Sequence, residues 1–523
     1  MKYLRNWLGS LAFLVTLLAT AGKCVAGDRC PSVPLSASGR YIVVISDLHF
    51  GQGEANKKED FLWGKELDAF LLRISECGQG MVDLVIAGDL LDLWQPPADI
   101  KCEGPDPDHG CSVDEAAHIT HRICDVHKAE LTALNRFSLQ GENRLFLVPG
   151  NHDAALFQEA PWRIVANAIG GDPSRVKIVE NGIWLSADGS IVVEHGNQIW
   201  RDENKYEKWP LVADNVHGVD YLVRSWGERF VQKQFNADEE TYPIIDNLSP
   251  VSAGLRYRMQ DRGLWRSIAD VVRFLRFNVM ETSLSQKVAY MGPEDIGGMP
   301  QVWNLDYART LGHKLLAGTL PEDDPFRREL LGPSEEAVRL RRYLDNLFGD
   351  KGDSGLSDLE IGTMCNEMAV RSSGVYVCVR PHMGGLVQKA IRTHDDIILS
   401  HLSVRLGLEL TSGMRVFIYG HSHDAQDGWT LKAGEEGRRR EIKVLNSGAF
   451  QRVVNEKGFL RLAGGDPAAG LRTLQVKDLP PCYTAVIVDA IRGRDGAKTV
   501  IWHMPDGDPG EFVDFEKTNS VCN

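Results

Sequence analysis

The segment Met414-Arg415-Val416-Phe417-Ile418-Tyr419-Gly420-His421-Ser422-His423 passes from an apolar run into two histidines separated by one residue. A run of that length bounded by glycine reads as a buried strand. In extended backbone, side chains two apart project to the same side, so both imidazoles can address one point. A single His-x-His is weak evidence for a site. Three other strand ends repeat the arrangement.

Tyr41-Ile42-Val43-Val44-Ile45-Ser46 runs into Asp47-Leu48-His49, again an alternate pair, here carboxylate and imidazole. Val82-Asp83-Leu84-Val85-Ile86-Ala87 ends in Gly88-Asp89, where glycine leaves room for a close approach. Arg144-Leu145-Phe146-Leu147-Val148-Pro149 is followed by Gly150-Asn151-His152-Asp153. A further strand, Ser190-Ile191-Val192-Val193-Glu194, ends in His195-Gly196. Ligand sites of open sheets lie beyond the carboxyl ends of strands, and these ends carry oxygen and imidazole donors.

Taken in order, Asp47, His49, Asp89, Asn151, His152, His195, His421 and His423 follow the signature D-x-H, G-D, G-N-H-D, G-H, G-H-x-H, with the fourth block reversed as His195-Gly196. The chain resembles the calcineurin-like metallophosphoesterases on these residues, over about 40–200 and 412–505. The resemblance implies an α/β fold: a four-layer αββα sandwich of two mixed sheets flanked by helices, with an inserted, mainly helical cap at 201–411. It also implies two divalent metal ions. Asp47, His49, Asp89 and His423 would hold one, and Asp89, Asn151, His195 and His421 the other, with Asp89 as the bridge. A hydroxide between the ions would attack phosphorus. His152 would protonate or stabilise the leaving oxygen, and Asp153 would orient His152. The mixture of imidazole, carboxylate and amide suits Mn, Fe, Zn or Co better than Mg or Ca. Gly88-Asp89-Leu90-Leu91-Asp92-Leu93-Trp94 is similar to a run in the UDP-diacylglucosamine hydrolase branch, which cleaves a pyrophosphate but is shorter and cytosolic.

With 523 residues the chain is long enough for more than one domain, and a hydrophobic content of 43% supplies a core. A formal net charge of −14 argues against gripping a nucleic acid over a broad surface. A small or lipid-linked phosphorylated substrate fits better. Lys2 and Arg5 lead into the apolar stretch Leu8-Gly9-Ser10-Leu11-Ala12-Phe13-Leu14-Val15-Thr16-Leu17-Leu18-Ala19, too short for a stable bilayer span. This reads as a signal peptide, cleaved after Ala26 or Ala21, with an uncleaved anchor as the alternative. The expected destination is periplasmic or secreted. Ten cysteines agree with an oxidising compartment. Cys102 with Cys111, Cys365 with Cys378 and Cys482 with Cys522 are the expected bridges, leaving Cys30, Cys77 and Cys124 open.

Between the site blocks, a helix is expected over 61–74, and a capping box at Ser112-Val113-Asp114-Glu115 opens another that runs to 137. His118, His121, Cys124 and His127 on that helix are read as a partly exposed face, an auxiliary metal site being the sharper alternative. Asp92 reads as a local turn cap or as support for the ion ligands. The gap between His195 and His421 exceeds any sheet connection and predicts an inserted domain, with helices expected over 219–235, 263–280, 333–348 and 384–406. Trp265, Ile268, Val272, Leu275 and Val279 form one apolar stripe, flanked by Arg256, Arg258, Arg262, Arg266, Arg273 and Arg276. The plain reading is a core-facing helix with a solvated basic face. The sharper one is a lid making peripheral membrane or substrate-phosphate contact. Two strands, 484–488 and 499–503, are expected to complete the second sheet, ahead of a tail at 506–523.

Overall fold

The computed structural model describes residues 30–31, 39–53, 56, 58–59, 61–199, 204–249, 253–254, 257–258, 261–262, 394–405, 413–433, 440–517 and 522. The element that fixes the architecture is β1 (Tyr41–Ile45), buried at every position. A strand with no polar face must be covered on both sides. Helices and strands then follow as α1 (Gly64–Cys77), β2 (Val82–Ala87), β3 (His109–Ser112), α2 (Val113–Val126), α3 (Lys128–Leu139), β4 (Arg144–Val148), α4 (Glu159–Ile169), β5 (Val176–Ile178), β6 (Ile183–Leu185) and β7 (Ile191–Glu194). Next come β8 (Ala213–Val216), β9 (Val219–Val223), α5 (Trp226–Phe230), a π turn at Val231–Phe235, α6 (Asn236–Glu239) and β10 (Leu248–Ser249). The last part holds α7 (His394–Arg405), β11 (Val416–Tyr419), β12 (Gln426–Ala433), β13 (Arg440–Asn446), β14 (Val454–Asn455), α8 (Glu456–Leu462), α9 (Pro467–Thr473), β15 (Cys482–Asp489), β16 (Ala497–His503) and β17 (Glu511–Asp514).

Two mixed sheets result. The first has the order β17-β16-β15-β1-β2-β4-β5 and the second β12-β13-β11-β7-β6. Val44, Val85 and Val148 of the first meet Val193, Val416 and Ile418 of the second in one apolar layer. The far side of the first sheet, with Val43 and Ile45, packs on Phe70 of α1 and Leu134 of α3. Phe417 on the far side of the second packs on Ile398 and Leu402 of α7. The four layers are therefore helix, sheet, sheet and helix, as the α/β reading requires. Truncating a fully buried β1 residue such as Ile45 to alanine removes contacts on this seam and costs about 2–5 kcal/mol.

Within each sheet, the strands that carry candidate ligands run parallel: β1, β2 and β4 in the first, β7 and β11 in the second. Their carboxyl ends therefore emerge along one edge.

Several local expectations are corrected. β15 and β16 belong to the first sheet, because β15 pairs antiparallel with β1 from Tyr41↔Asp489 to Val44↔Val486. The helix expected over 112–137 begins with the capping box, in which Ser112 and Glu115 bond each other's backbone, but it breaks at His127 into α2 and α3. The helix expected over 219–235 opens instead as a strand. His217 (φ 53°) and Gly218 (φ 88°) make a tight turn of left-handed residues, which lets the β-branched Val219 start β9 against β8. The helices expected over 263–280 and 333–348 lie outside the described residues, and of the one expected over 384–406 only 394–405 are described, as α7. Arg258 and Arg262 bind Asp238 at 2.8 and 3.2 Å.

Cys102–Cys111 and Cys482–Cys522 are bridged as expected, and Cys30 pairs with Cys77. Cys124 is a buried free thiol, pushed up to about 12 by burial and by Asp125. The pair Cys365 and Cys378 lies outside the described residues. Among the described residues, no helix is long and apolar enough to cross a membrane.

The break at His127 has a use. Its ring stacks on Phe50 at 4.6 Å, next to His49, and lies 3.5 Å from Glu59 and 3.7 Å from Glu130. Glu59 in turn accepts from the amides of Gly51 and Phe61, both at 3.1 Å, fixing the loop that leaves His49. Burial disfavours a charged His127, but Glu130 and Glu59 outweigh it and push it up to about 9. A raised value means that the stabilisation is complete below about pH 6.5 and is lost as pH climbs through 9. Urea unfolding from pH 6.5 to 9.5 is expected to show wild-type stability falling by up to about 3 kcal/mol, with a flatter profile for His127→Gln. Equal slopes in the two proteins would rule this out.

Candidate metal centre

At the shared edge the backbone itself is unusual. Asp47 (φ 54°), His49 (53°), Asp89 (52°), His421 (70°) and His423 (54°) all occupy the left-handed region. Only Gln79, Cys102 and His217 share it among the other described non-glycine residues. Each such residue costs about 1–3 kcal/mol and persists only where its surroundings enforce it. Here they do: Leu48 N and His49 N both donate to Asp89 O at 2.9 Å, and His421 N donates to Asp47 Oδ2 at 3.0 Å. The turn at each strand end swings the side chains over the edge towards a common point. Glycine is required at two neighbouring positions. A Cβ on Gly88 (φ 91°) would overlap the His195 ring, and one on Gly150 would overlap the Asp89 carboxylate.

Three candidate ligand groups form there among the described residues, two of them made of motif residues and the third of His49, Asp92 and His152. Asp47, His49 and His423 each place a donor atom within 4.8 Å of the others, as do Asp89, His195 and His421. In the first group, His423 Nε2 lies 3.3 Å from Asp47 Oδ1 and 3.2 Å from His49 Nε2. In the second, His195 Nε2 lies 3.0 Å from Asp89 Oδ2 and 2.8 Å from Asn151 Oδ1. The same Asp89 Oδ2 is 3.8 Å from His49 Nε2, so one oxygen faces both groups. Asp89 Oδ1 instead accepts from His152 N at 2.8 Å. The carboxylate therefore offers a single shared oxygen to the two groups.

Chemistry of the donor set tests whether cations fit. His195 Nδ1 lies 2.8 Å from the carbonyl of Ala87, a contact that only an N–H can make. Its Nε2 is then a lone pair, and it faces Asp89 Oδ2 and Asn151 Oδ1. Three acceptors pointed at one another repel unless a cation lies between them. A proton can fill that role. Burial opposes charge on His195, yet the Asp89 carboxylate overrides it and pushes the imidazole up to about 10. Burial likewise works to raise Asp89, and His195 followed by His152 holds it well below the carboxylate range. Asp47 is held low in the same way by His423 and His49 against its burial. The residues fit a pair of divalent ions.

His152 stands beside these groups and is oriented differently from expectation. Its Nδ1 lies 2.9 Å from Asp92 Oδ1, and Trp94 stacks on its ring at 3.9 Å. Asp92 also accepts from Trp94 N at 3.0 Å, so one carboxylate fixes both rings. Asp153, expected to orient His152, instead accepts from the amides of Gly150 (2.6 Å), Leu90 (2.8 Å) and Leu91 (3.3 Å). It ties the second and third strand-end loops together, and burial together with Asp89 pushes it up to about 6. Asp92 is the residue that sequence reading placed too low. Its spacing of three from Asp89 was the available signal, but a turn cap explains that spacing equally well. The alternative metal site on α2 does not assemble among the described residues: His121 pairs with Asp125 at 3.0 Å on the surface, while His127 turns inward.

A sandwich whose two sheets deliver ligands to one shared carboxylate oxygen has the build of a metallophosphoesterase. Residues 40–240 match the family model of the calcineurin-like phosphoesterases. It is also similar, at 25% identity over 205 residues, to a protein named DNA polymerase II small subunit from Archaeoglobus fulgidus. That match spans 37% of this chain and 38% of the relative.

Replacing Asp89 by asparagine removes the charge that both groups share. Metal analysis of Asp89→Asn after loading is expected to show both ions bound at least about tenfold more weakly than in wild type. Full retention of two ions would remove Asp89 from the bridge.

Proposed function

We propose that the protein is an exported, metal-dependent phosphoesterase acting on a phosphate ester or pyrophosphate of a small or lipid-linked substrate. The observation that carries this reading is the convergence of carboxylate, amide-oxygen and imidazole ligand atoms from both sheets on Asp89 Oδ2, with a further imidazole held beside them through its far nitrogen. Two divalent ions of Mn, Fe, Zn or Co, when bound, would offset the negative charge of the ester and acidify a water at neutral pH.

The chain's own residues supply the rest. Asp47, His49, Asp89 and His423 would hold one ion, and Asp89, Asn151, His195 and His421 the other. His152 lies between the ligand groups and Trp94, with Nδ1 committed to Asp92, so Nε2 is the atom that can hand a proton to the leaving oxygen. Burial opposes a charged His152, but Asp89 and Asp92 outweigh it and raise its pKa, which favours the protonated form that the task needs. Asp153 acts at one remove, by holding the loop of Asn151 and His152 against Leu90.

Export is supported by the charged and apolar leader and by three disulfides among the described residues. The polymerase-subunit relative gives a nuclease reading its one supporting observation, and the net charge of −14 opposes it. DNA affinity that collapses with added salt would favour the nuclease.

With Mn-loaded protein and a panel of phosphomonoesters, diesters and pyrophosphates, His152→Ala is expected to keep both ions while kcat falls by roughly 10²–10⁴. Loss of the ions would make His152 a ligand. Asp92→Asn is expected to lower kcat by about tenfold and to move the basic limb of the pH profile to lower pH, because His152, needed in its protonated form, then loses the carboxylate that raises its pKa. An unchanged profile would leave Asp92 with a purely structural role.

A further inference from the structure

The open side of the centre is bordered by a second set of polar residues, drawn from α6 and the loop behind it. Trp94, stacked on His152, leads to Gln95, whose buried amide donates to Glu239 Oε2 at 3.2 Å. Asn236, 9% exposed, donates through Nδ2 to the carbonyl of Trp94 at 3.5 Å. From Glu239 the chain continues to Asp246, whose carboxyl is raised above the usual range by burial, while Glu239, which can share one proton with it, and the charges of His423 and His49 act against burial. The next residues are fixed in turn: Val454 N donates to Asn247 O at 2.9 Å, and Leu248 pairs with Val454. The segment thus joins Trp94 and Gln95, on the His152 side, to Asp246, which lies within reach of the charges of His423 and His49.

Its polar atoms are incompletely used. Asp246 Oδ1 and Asn236 Oδ1 are buried acceptors without a hydrogen-bond partner among the described residues, and the side-chain amide of Asn247, 1% exposed, has no partner among them at either atom. The bond from Asn236 Nδ2 to Trp94 fixes which of its ends is left over. Buried polar groups in folded proteins are almost always satisfied, so orphans gathered in one segment beside the centre call for a ligand. Acceptors predominate among them. A hydroxyl or an ammonium satisfies them, and a carboxylate or a second phosphate is repelled by Glu239 and Asp246.

We propose that segment 236–247 is the specificity wall of the centre, selecting phosphate esters whose alcohol part presents hydroxyl or ammonium donors over esters whose alcohol part is anionic. The inference rests on the phosphoesterase reading and adds to it the chemical class of the alcohol.

The test uses Mn-loaded full-length protein turning over p-nitrophenyl phosphate or bis(p-nitrophenyl) phosphate. Glycerol 2-phosphate, O-phosphoethanolamine and 2-phosphoglycolate are added as competitors, which bind as substrate or as product. The first two are expected to inhibit at least about tenfold more tightly than phosphoglycolate, in line with hydrogen bonds to charged groups. Whichever of the two binds more tightly identifies hydroxyl or ammonium as the donor. Asp246→Asn and Glu239→Gln are expected to narrow that ratio to below about threefold with two ions per chain retained, and Asn236→Ala to narrow it in part. Should Asp246→Asn fail to fold, Glu239→Gln reads the same ratio. Phosphoglycolate binding as tightly as the other two in wild type, or a ratio unchanged in the variants, overturns the inference. Absence of turnover on every ester despite bound metal is a different result, and it overturns the phosphoesterase reading itself.

Discussion

Mutual repulsion of acceptor atoms is the constraint around which this structure is built. His195 Nε2, Asp89 Oδ2 and Asn151 Oδ1 lie within 3.0 Å of one another along the contacts that join them, with His49 and His423 close by. No folded chain gathers lone pairs in this way without something positive to receive them. The left-handed residues at the strand ends and the glycines at 88 and 150 are the backbone's share of that cost. Two apolar sheet faces, docked through Val44, Val193 and Ile418, supply the stability against which it is set. Site and core are in this sense one balance: the sandwich holds the strand ends where they are, and the strand ends spend part of what the sandwich gains.

Much of this was readable in the sequence because the strands are short, wholly apolar and punctuated. Asp47 and His49 follow the Tyr41–Ile45 run directly, and His421 and His423 follow Val416–Tyr419 directly, so the pattern of alternate residues placed them at strand ends without knowledge of the fold. Sheet membership was a different matter. β15 and β16 are as apolar as any strand, and nothing in their composition says which sheet receives them. That choice depends on the free edge of β1, more than four hundred residues away in the chain. Asp92 was ambiguous because an aspartate three residues past a strand end caps a turn as readily as it holds an imidazole, and here it does both.

Other features had no local signal at all. Glu239 and Asp246 sit in a segment without motif, and their place beside the centre comes only from the contacts of α6 with Trp94 and Gln95 and of β10 with β14. The break at His127 was hidden inside a run with good helical character on both sides. It is accompanied by the stacking on Phe50 and the approach of Glu59, both distant in the chain, with only Glu130 close by in sequence. The stripe of Trp265, Ile268, Val272, Leu275 and Val279 shows periodicity in the sequence and lies outside the described residues.

The centre is also divided between the sheets in a way that governs when it can exist. Asp47, His49, Asp89 and Asn151 belong to the first sheet, while His195, His421 and His423 belong to the second, and the two groups built on Asp47 and on Asp89 each take members from both. Neither of these two groups is complete within one sheet, whereas His49, Asp92 and His152 all follow strands of the first. Cations held by the two shared groups would be rivets across the seam, and their occupancy would report that the two halves have come together. A ribosome that has released only the first four hundred residues has made most of the donors but neither of these two groups. In such a protein, assembly of the last strands and arrival of activity are the same event.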